Sequence, residues 1–200
     1  MNNLRELTGK LYYMCAFDGS LEYSKNKDMA RLRVVQVAIN KEYLDYVGET
    51  LEALDIGYTI THKTNNSGFK NSKPQLVLST TYHPKLATIR KRLYLGGRKT
   101  LDPHMIKFLT AETFTIMLMA DGSSYKRNET ASPAYYLHLN SFTYAENLLM
   151  KQALKKYLNM EWNVVKNKKW WELRMRATSV QSLYDAVFPH ILPCFDYKIK

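Results

Sequence analysis

Leu11-Tyr-Tyr-Met-Cys-Ala-Phe17 runs into Asp18-Gly19-Ser20, and about half the chain later Phe114-Thr-Ile-Met-Leu-Met-Ala120 runs into Asp121-Gly122-Ser123. An apolar heptapeptide closed by Asp-Gly-Ser predicts a helix stopped by a glycine turn, with a carboxylate at its end. One copy is a common turn signal. Two copies in one chain predict a duplicated, pseudo-twofold protein whose acids meet on the symmetry axis, where they offer a ready site for Mg²⁺.

The 200-residue chain is long enough for one compact domain or two fused halves, and 46% apolar residues are ample for a core. Its 29 Lys and Arg against 18 Asp and Glu leave a formal charge of +11, which predicts a polyanionic partner, nucleic acid before a membrane surface. Cys15 and Cys194 are too few and too distant for a disulfide framework or a zinc site. Met1-Asn-Asn-Leu-Arg-Glu has no secretory pattern and no segment reaches the ~20 apolar residues of a membrane span, so a soluble intracellular protein is expected.

Two repeats follow from the motifs, at 1–100 and 101–200. In the first, a helix ends near Asp18, Arg31–Ile39 reads as a strand, and Lys41–Leu54 is an amphipathic helix closed by Gly57. Tyr58–His62 and Gln75–Thr80 bracket the polar turn Asn65-Asn66-Ser67-Gly68 as a hairpin, and Pro84–Tyr94 is a helix broken by Gly96-Gly97. The second repeats the order with a strand at Ala134–Leu139, a helix at Tyr144–Leu158, strands at Trp162–Val165 and Trp171–Arg176, and a helix at Val180–Ile191 stopped by Pro193. Asp18 aligns with Asp121, Gln36 with His138, Thr80 with Thr178 and Lys99 with Lys198. The slightly smaller offset of the last two pairs fits a shorter second hairpin. Each half reads as helix, strands, helix, strands, helix, an α+β pattern.

These residues resemble the LAGLIDADG homing endonucleases, specifically the monomeric members with two motif copies. The resemblance covers both motif helices, the repeated element order, Ser141-Phe-Thr-Tyr at the start of a middle helix, and Pro193-Cys-Phe-Asp-Tyr-Lys198 at the end. The motif is degenerate: the family's small third residue is Tyr13 in one copy and Ile116 in the other, while Ala16 and Ala120 stay small. The resemblance implies a site-specific endonuclease that makes a double-strand break with short 3′ overhangs in DNA at a long asymmetric target. It further implies a monomer that uses Mg²⁺, with Mn²⁺ able to substitute, and an α+β fold of two pseudo-symmetric αββαββα repeats with the motif helices central and two antiparallel, saddle-like sheets.

Phosphodiester hydrolysis needs an activated water, neutralised phosphoryl charge and help for the leaving oxygen, which carboxylate-bound metals supply. Asp18 and Asp121 are the expected ligands. The resemblance gives Lys99 and Lys198 the family's basic residue beside the reaction centre, where an ammonium stabilises developing negative charge. It gives Gln36 and His138 a water-orienting role. Sheets are expected to read DNA in the major groove through Arg31, Arg33, Lys63, Arg174 and Arg176. The loop residues Lys25, Lys27, Lys70, Lys73, Lys126, Arg127, Lys166 and Lys168 suit phosphates. Of Trp170 and Trp171, one is expected in the core, since strand neighbours face opposite ways. An intron RNA-splicing maturase and a cleavage-dead DNA-binding regulator are the alternatives on this fold. The histidines show no metal-ligand spacing, and no phosphate-loop or Gly-x-Ser-x-Gly pattern appears.

Overall fold

Each apolar heptapeptide forms a helix that passes into a strand with no intervening loop. The computed structural model describes residues 2–63, 73–126, 128 and 133–199. Helix α1 (Asn2–Tyr13) continues into one π-type turn, Met14–Asp18, closed by Gly19 N–H on the Met14 carbonyl. Strand β1 (Gly19–Tyr23) starts at the next residue, followed by β2 (Ala30–Val37), α2 (Lys41–Glu52), β3 (Tyr58–Lys63), β4 (Gln75–Thr80) and α3 (Pro84–Leu93). A short hairpin, β5 (Tyr94–Leu95) and β6 (Arg98–Lys99), leads to the second motif helix, α4 (Ala111–Asp121). Then come β7 (Gly122–Tyr125), β8 (Ala134–Leu137), α5 (Tyr144–Leu158), β9 (Trp162–Asn167), β10 (Trp170–Met175) and α6 (Val180–Val187). The chain divides into two compact units, Met1–Arg92 and Leu93–Lys200.

The same antiparallel sheet is built in each unit, ordered β1-β2-β4-β3 in the first and β7-β8-β10-β9 in the second. In the first, Leu32, Val34 and Leu78 are buried on the side where α2 supplies Tyr43, Leu44, Val47 and Leu51. In the second, Leu137 and Leu173 are buried on the side where α5 supplies Met150 and Leu154. Period-two alternation turns the other residues of these strands to the opposite, outer face. The fold is thus mixed helix and antiparallel sheet, as the patterning predicts. Every residue from Thr113 to Met119 is buried, and this stretch of α4 is apolar but for Thr113 and Thr115, whose hydroxyls donate to the Phe108 and Ala111 carbonyls.

Several details differ from the sequence reading. Gly19 (φ −88°, ψ 157°) and Gly122 (φ −85°, ψ 152°) are extended and do not make glycine turns. What requires glycine is space: a Cβ at Gly19 would strike Leu32 Cδ1, and one at Gly122 would strike the Leu118 carbonyl oxygen. The ladders also move two equivalences. Gly19 pairs with Val34 as Gly122 pairs with Leu137, so Val35, not Gln36, is the register partner of His138. Likewise Val34 faces Leu78 as Leu137 faces Leu173, which aligns Thr80 with Met175 and not with Thr178. Finally, Gly96 and Gly97 (φ 59° and 80°) do more than break a helix. Both adopt the left-handed conformation that a tight hairpin needs, and they join β5 to β6. The last helix ends at Val187, short of the expected Ile191, and one looser turn follows in which His190 N–H and Ile191 N–H share the Val187 carbonyl. The turn Asn65–Gly68, Lys70 and Arg127 lie outside the described residues.

Glu146 fastens the β5–β6 hairpin to α5. Its Oε2 accepts from Thr143 N–H (2.7 Å) and Arg98 Nη1 (3.0 Å), and its Oε1 accepts from Leu101 N–H (3.0 Å). Burial works to raise its pKa, but the Thr143, Arg98 and Leu101 hydrogen bonds outweigh it and hold the carboxyl below its ordinary value. Its stabilisation is therefore complete above the unfolded carboxyl's pKa and lost as pH falls through the lower, folded value. Melting curves from neutral pH to below about pH 4 should show a smaller acid-side loss of stability in Glu146→Gln than in the wild type.

Candidate functional site

Both motif acids sit half-buried at a helix end, where the chain turns into the sheet. Asp18 is fixed from β2: Gln36 Nε2 donates to Asp18 Oδ2 at 2.7 Å, and Asn40 Nδ2 donates to Gln36 Oε1 at 3.1 Å. A carboxylate held by an amide that is itself held cannot swing freely, the preorganisation that reaction sites need. In the second unit the backbone makes the matching link, His138 N–H donating to the Asp121 carbonyl at 2.8 Å.

Lys198 occupies a different place from a solvent-facing catalytic ammonium. It is buried, and its Nζ donates to the carbonyls of Leu118 (3.4 Å), Met119 (2.5 Å) and Ala120 (3.1 Å). These are last-turn carbonyls of α4, and a cation there satisfies them and complements the negative helix end. The lysine thereby steadies the backbone leading to Asp121. Lys198→Met should leave those acceptors buried without a donor and cost ~1–3 kcal/mol, read as a lower midpoint in chemical denaturation. Lys99 lies on β6, paired with Tyr94, and belongs by contact to the second unit.

Arg31 and Arg33 stand on the outer face of the first sheet. Arg31 is tied across the ladder to Glu22 (Nη2–Oε2 2.7 Å), which raises its pKa, and lies over the Tyr82 ring. Arg33, Lys63 and Lys73 are exposed, as are Lys25 and Lys27 in the β1–β2 turn. On the second sheet Arg174 is exposed on the outer face over the Tyr136 ring, at 5.8 Å. Arg176 pairs with Glu161 at 3.0 Å. Lys126 and Lys168 are exposed, and Lys166 lies over Trp171. Trp171 packs on Tyr144 of α5, while Trp170 is 44% exposed. The residue that sequence reading missed is Glu172. It is buried on the outer face of β10, with Oε2 3.0 Å from His138 Nδ1, and His138 Nε2 lies 2.7 Å from Ser123 Oγ. Strand alternation with Arg174 was the available signal.

Among the described residues no group of three or more His, Cys, Asp or Glu is placed to hold a metal. Each motif helix instead ends in one carboxylate, a hard oxygen donor of the kind that Mg²⁺ and Mn²⁺ take. In the second unit Lys198 takes the preceding carbonyls, so what this end offers a cation is the carboxylate of Asp121.

The chain is therefore a duplicated α+β protein with one acid-tipped, buried motif helix and one four-stranded sheet in each half. The LAGLIDADG DNA endonuclease family model matches residues 17–183, and the chain belongs to that family. Its structure is similar to that of the homing endonuclease I-WcaI bound to its DNA recognition sequence (TM-score 0.80, 16% identity, covering 98% of this chain and 86% of that one). It is also similar to a variant of the homing endonuclease I-DmoI in complex with its target DNA in the presence of Mn (TM-score 0.58, 12% identity, 96% and 99% covered). A third likeness is to the N-terminal LAGLIDADG domain of DUF199/WhiA (TM-score 0.53, 11% identity, 92% and 82% covered). At such identities these likenesses establish the fold. No helix among the described residues is long and apolar enough to cross a membrane.

Proposed function

We propose that the protein is a site-specific homing endonuclease that makes a metal-dependent double-strand break in DNA. Family membership supports it, and the observation that carries it is a carboxylate at the end of both motif helices, one of them locked by Gln36. Asp18 and Asp121 are the proposed ligands of Mg²⁺, with Mn²⁺ able to substitute; the bound metal supplies an activated water and charge neutralisation. Gln36 orients Asp18 and the water beside it, and Lys99 adds positive charge near the phosphate. Lys198 acts through the backbone of α4. The ring nitrogens of His138 are committed to Ser123 and Glu172, which favours a part in the sheet's recognition face over water orientation.

The outer sheet faces contact duplex DNA, with Arg33 and Arg174 at base edges and Lys63, Lys73, Lys126 and Lys168 at phosphates. The two sheets carry different outer residues, so the target is asymmetric and one chain suffices to bind it. Short 3′ overhangs and an intron-borne gene follow from the family reading.

The test is a cleavage screen of a pooled DNA library that includes the intron-minus form of the gene's own locus, with Mg²⁺ or EDTA. Discrete Mg²⁺-dependent ends with short 3′ overhangs are expected. Tight binding without ends overturns the nuclease reading in favour of a regulator or, if intron RNA is bound, a maturase.

A further inference from the structure

The outer face of the second sheet holds a hollow of about 490 Å³, lined by residues that include Ser123, Tyr136, His138, Asn167, Glu172 and Arg174. A carboxylate in this wall needs explaining. The chain carries a net charge of +11, and Glu172 is only 5% exposed. A buried carboxylate is costly unless its hydrogen bonds are made, and on a face meant for a polyanion it also repels the partner.

All its hydrogen bonds among the described residues fall on one oxygen. Oε2 takes Asn167 Nδ2 at 3.3 Å and His138 Nδ1 at 3.0 Å, and His138 is held in turn by Ser123 Oγ. Three strands thus contribute to fixing one carboxylate: β8 leads into His138, β9 carries Asn167 and β7 carries Ser123. Oε1 has no bond within the described residues. A rigid, acceptor-only atom is left for a ligand that brings an N–H donor, and it disfavours phosphate.

On the major-groove edge of DNA such donors are the exocyclic amino groups of cytosine and adenine. Adenine sets the N7 acceptor beside its N6 donor, a pattern matched by a side-chain amide. Cytosine shows the N4 donor alone, and its guanine partner shows acceptors that suit an arginine. Glu172 with Arg174 two residues along the same strand face matches that second pattern. We propose that Glu172 is a specificity-determining residue that accepts a hydrogen bond from a cytosine N4 amino group and so demands a C·G pair at one target position. Asn167, His138 and Ser123 are its positioning residues. The assignment rests on the DNA-binding part of the proposed function.

The test is binding selection from a randomised duplex library in EDTA, which keeps cleavage out of the readout. Wild-type protein should select a site with one cytosine that Glu172→Gln no longer requires. Discrimination there should fall roughly 5- to 150-fold, with the other positions unchanged. In parallel, each cytosine of the selected site is replaced by an analogue lacking the 4-amino group. Wild-type affinity should drop by a similar factor at that one position. An unchanged profile in folded Glu172→Gln, or an equal loss at every position, overturns the proposal. If that variant does not fold, the analogue scan decides: no single sensitive cytosine overturns it. Failure to select any sequence overturns the DNA-binding reading and this inference together.

Discussion

Asp18→Asn and Asp121→Asn are each expected to abolish double-strand cleavage while leaving DNA binding close to the wild-type level. Asparagine keeps the size and hydrogen-bonding reach of the side chain but removes the charge that holds a hard divalent cation. Losing one fixed charge-stabilising group commonly slows an enzyme ~10²–10³-fold, and a lost metal should cost at least that. In the proposed reading binding is set by the sheets and by a net charge of +11, to which one less carboxylate does no harm. Cleavage and gel-shift titrations on one labelled target separate the two effects. Undiminished cutting by either variant would refute the site assignment.

The second large effect is expected at the glycine after each acid, and the two positions should differ. At Gly122 a Cβ meets the Leu118 carbonyl oxygen, part of the helix backbone, and also Leu118 Cδ1 and Cγ. The turn of α4 that ends in Asp121 has to shift to make room. At Gly19 the nearest obstacle is Leu32 Cδ1, the far end of a side chain, with the Met14 oxygen at a tighter-than-usual 3.1 Å. Overpacking of this kind costs ~1–3 kcal/mol and occasionally more, so Gly122→Ala should reach the top of that range and Gly19→Ala the lower part. Denaturant unfolding of both variants checks the order. Gly122→Ala should also lose cleavage out of proportion to its stability, because what moves is the backbone of Asp121. Equal destabilisation by the two would show that the backbone contact is not what demands glycine.

The motif helices were legible as repeated apolar runs closed by Asp-Gly-Ser, α2 and α5 because their apolar residues recur at helical spacing, and the β9–β10 pair as short runs rich in Trp, Val and Leu. α5, Tyr144–Leu158, is found with the expected bounds. Strand β1 and its counterpart β7 were not legible. Ser20, Glu22 and Ser123 break the apolar pattern, and the glycines before them read as stops. Gly96-Gly97 signals both the end of a helix and the turn of a hairpin, and only the pairing of Tyr94 with Lys99 separates these. At the site, Asp18 and Asp121 were visible through their repetition. The bonds of Lys198 to α4 and of Glu172 to His138 join residues far apart in the chain, and composition carries no trace of them. Aligning Gln36 with His138 also missed the register by one residue, a shift that carries a side chain to the opposite face of a strand.

A helix that enters its strand without a loop leaves no slack between the carboxylate at its end and the sheet. Any residue insertion between Asp121 and β7 would displace one against the other. Alternation along the strands works the opposite way: a side chain on the outer face is replaceable while its inward neighbours keep their packing. Under the proposed function, new targets are thus reachable by lettering changes alone, with the machinery's dimensions inherited intact. For an engineer the outer positions of β2, β4, β8 and β10 are the rewritable ones, and the Asp-Gly junctions are the datum from which everything else is measured.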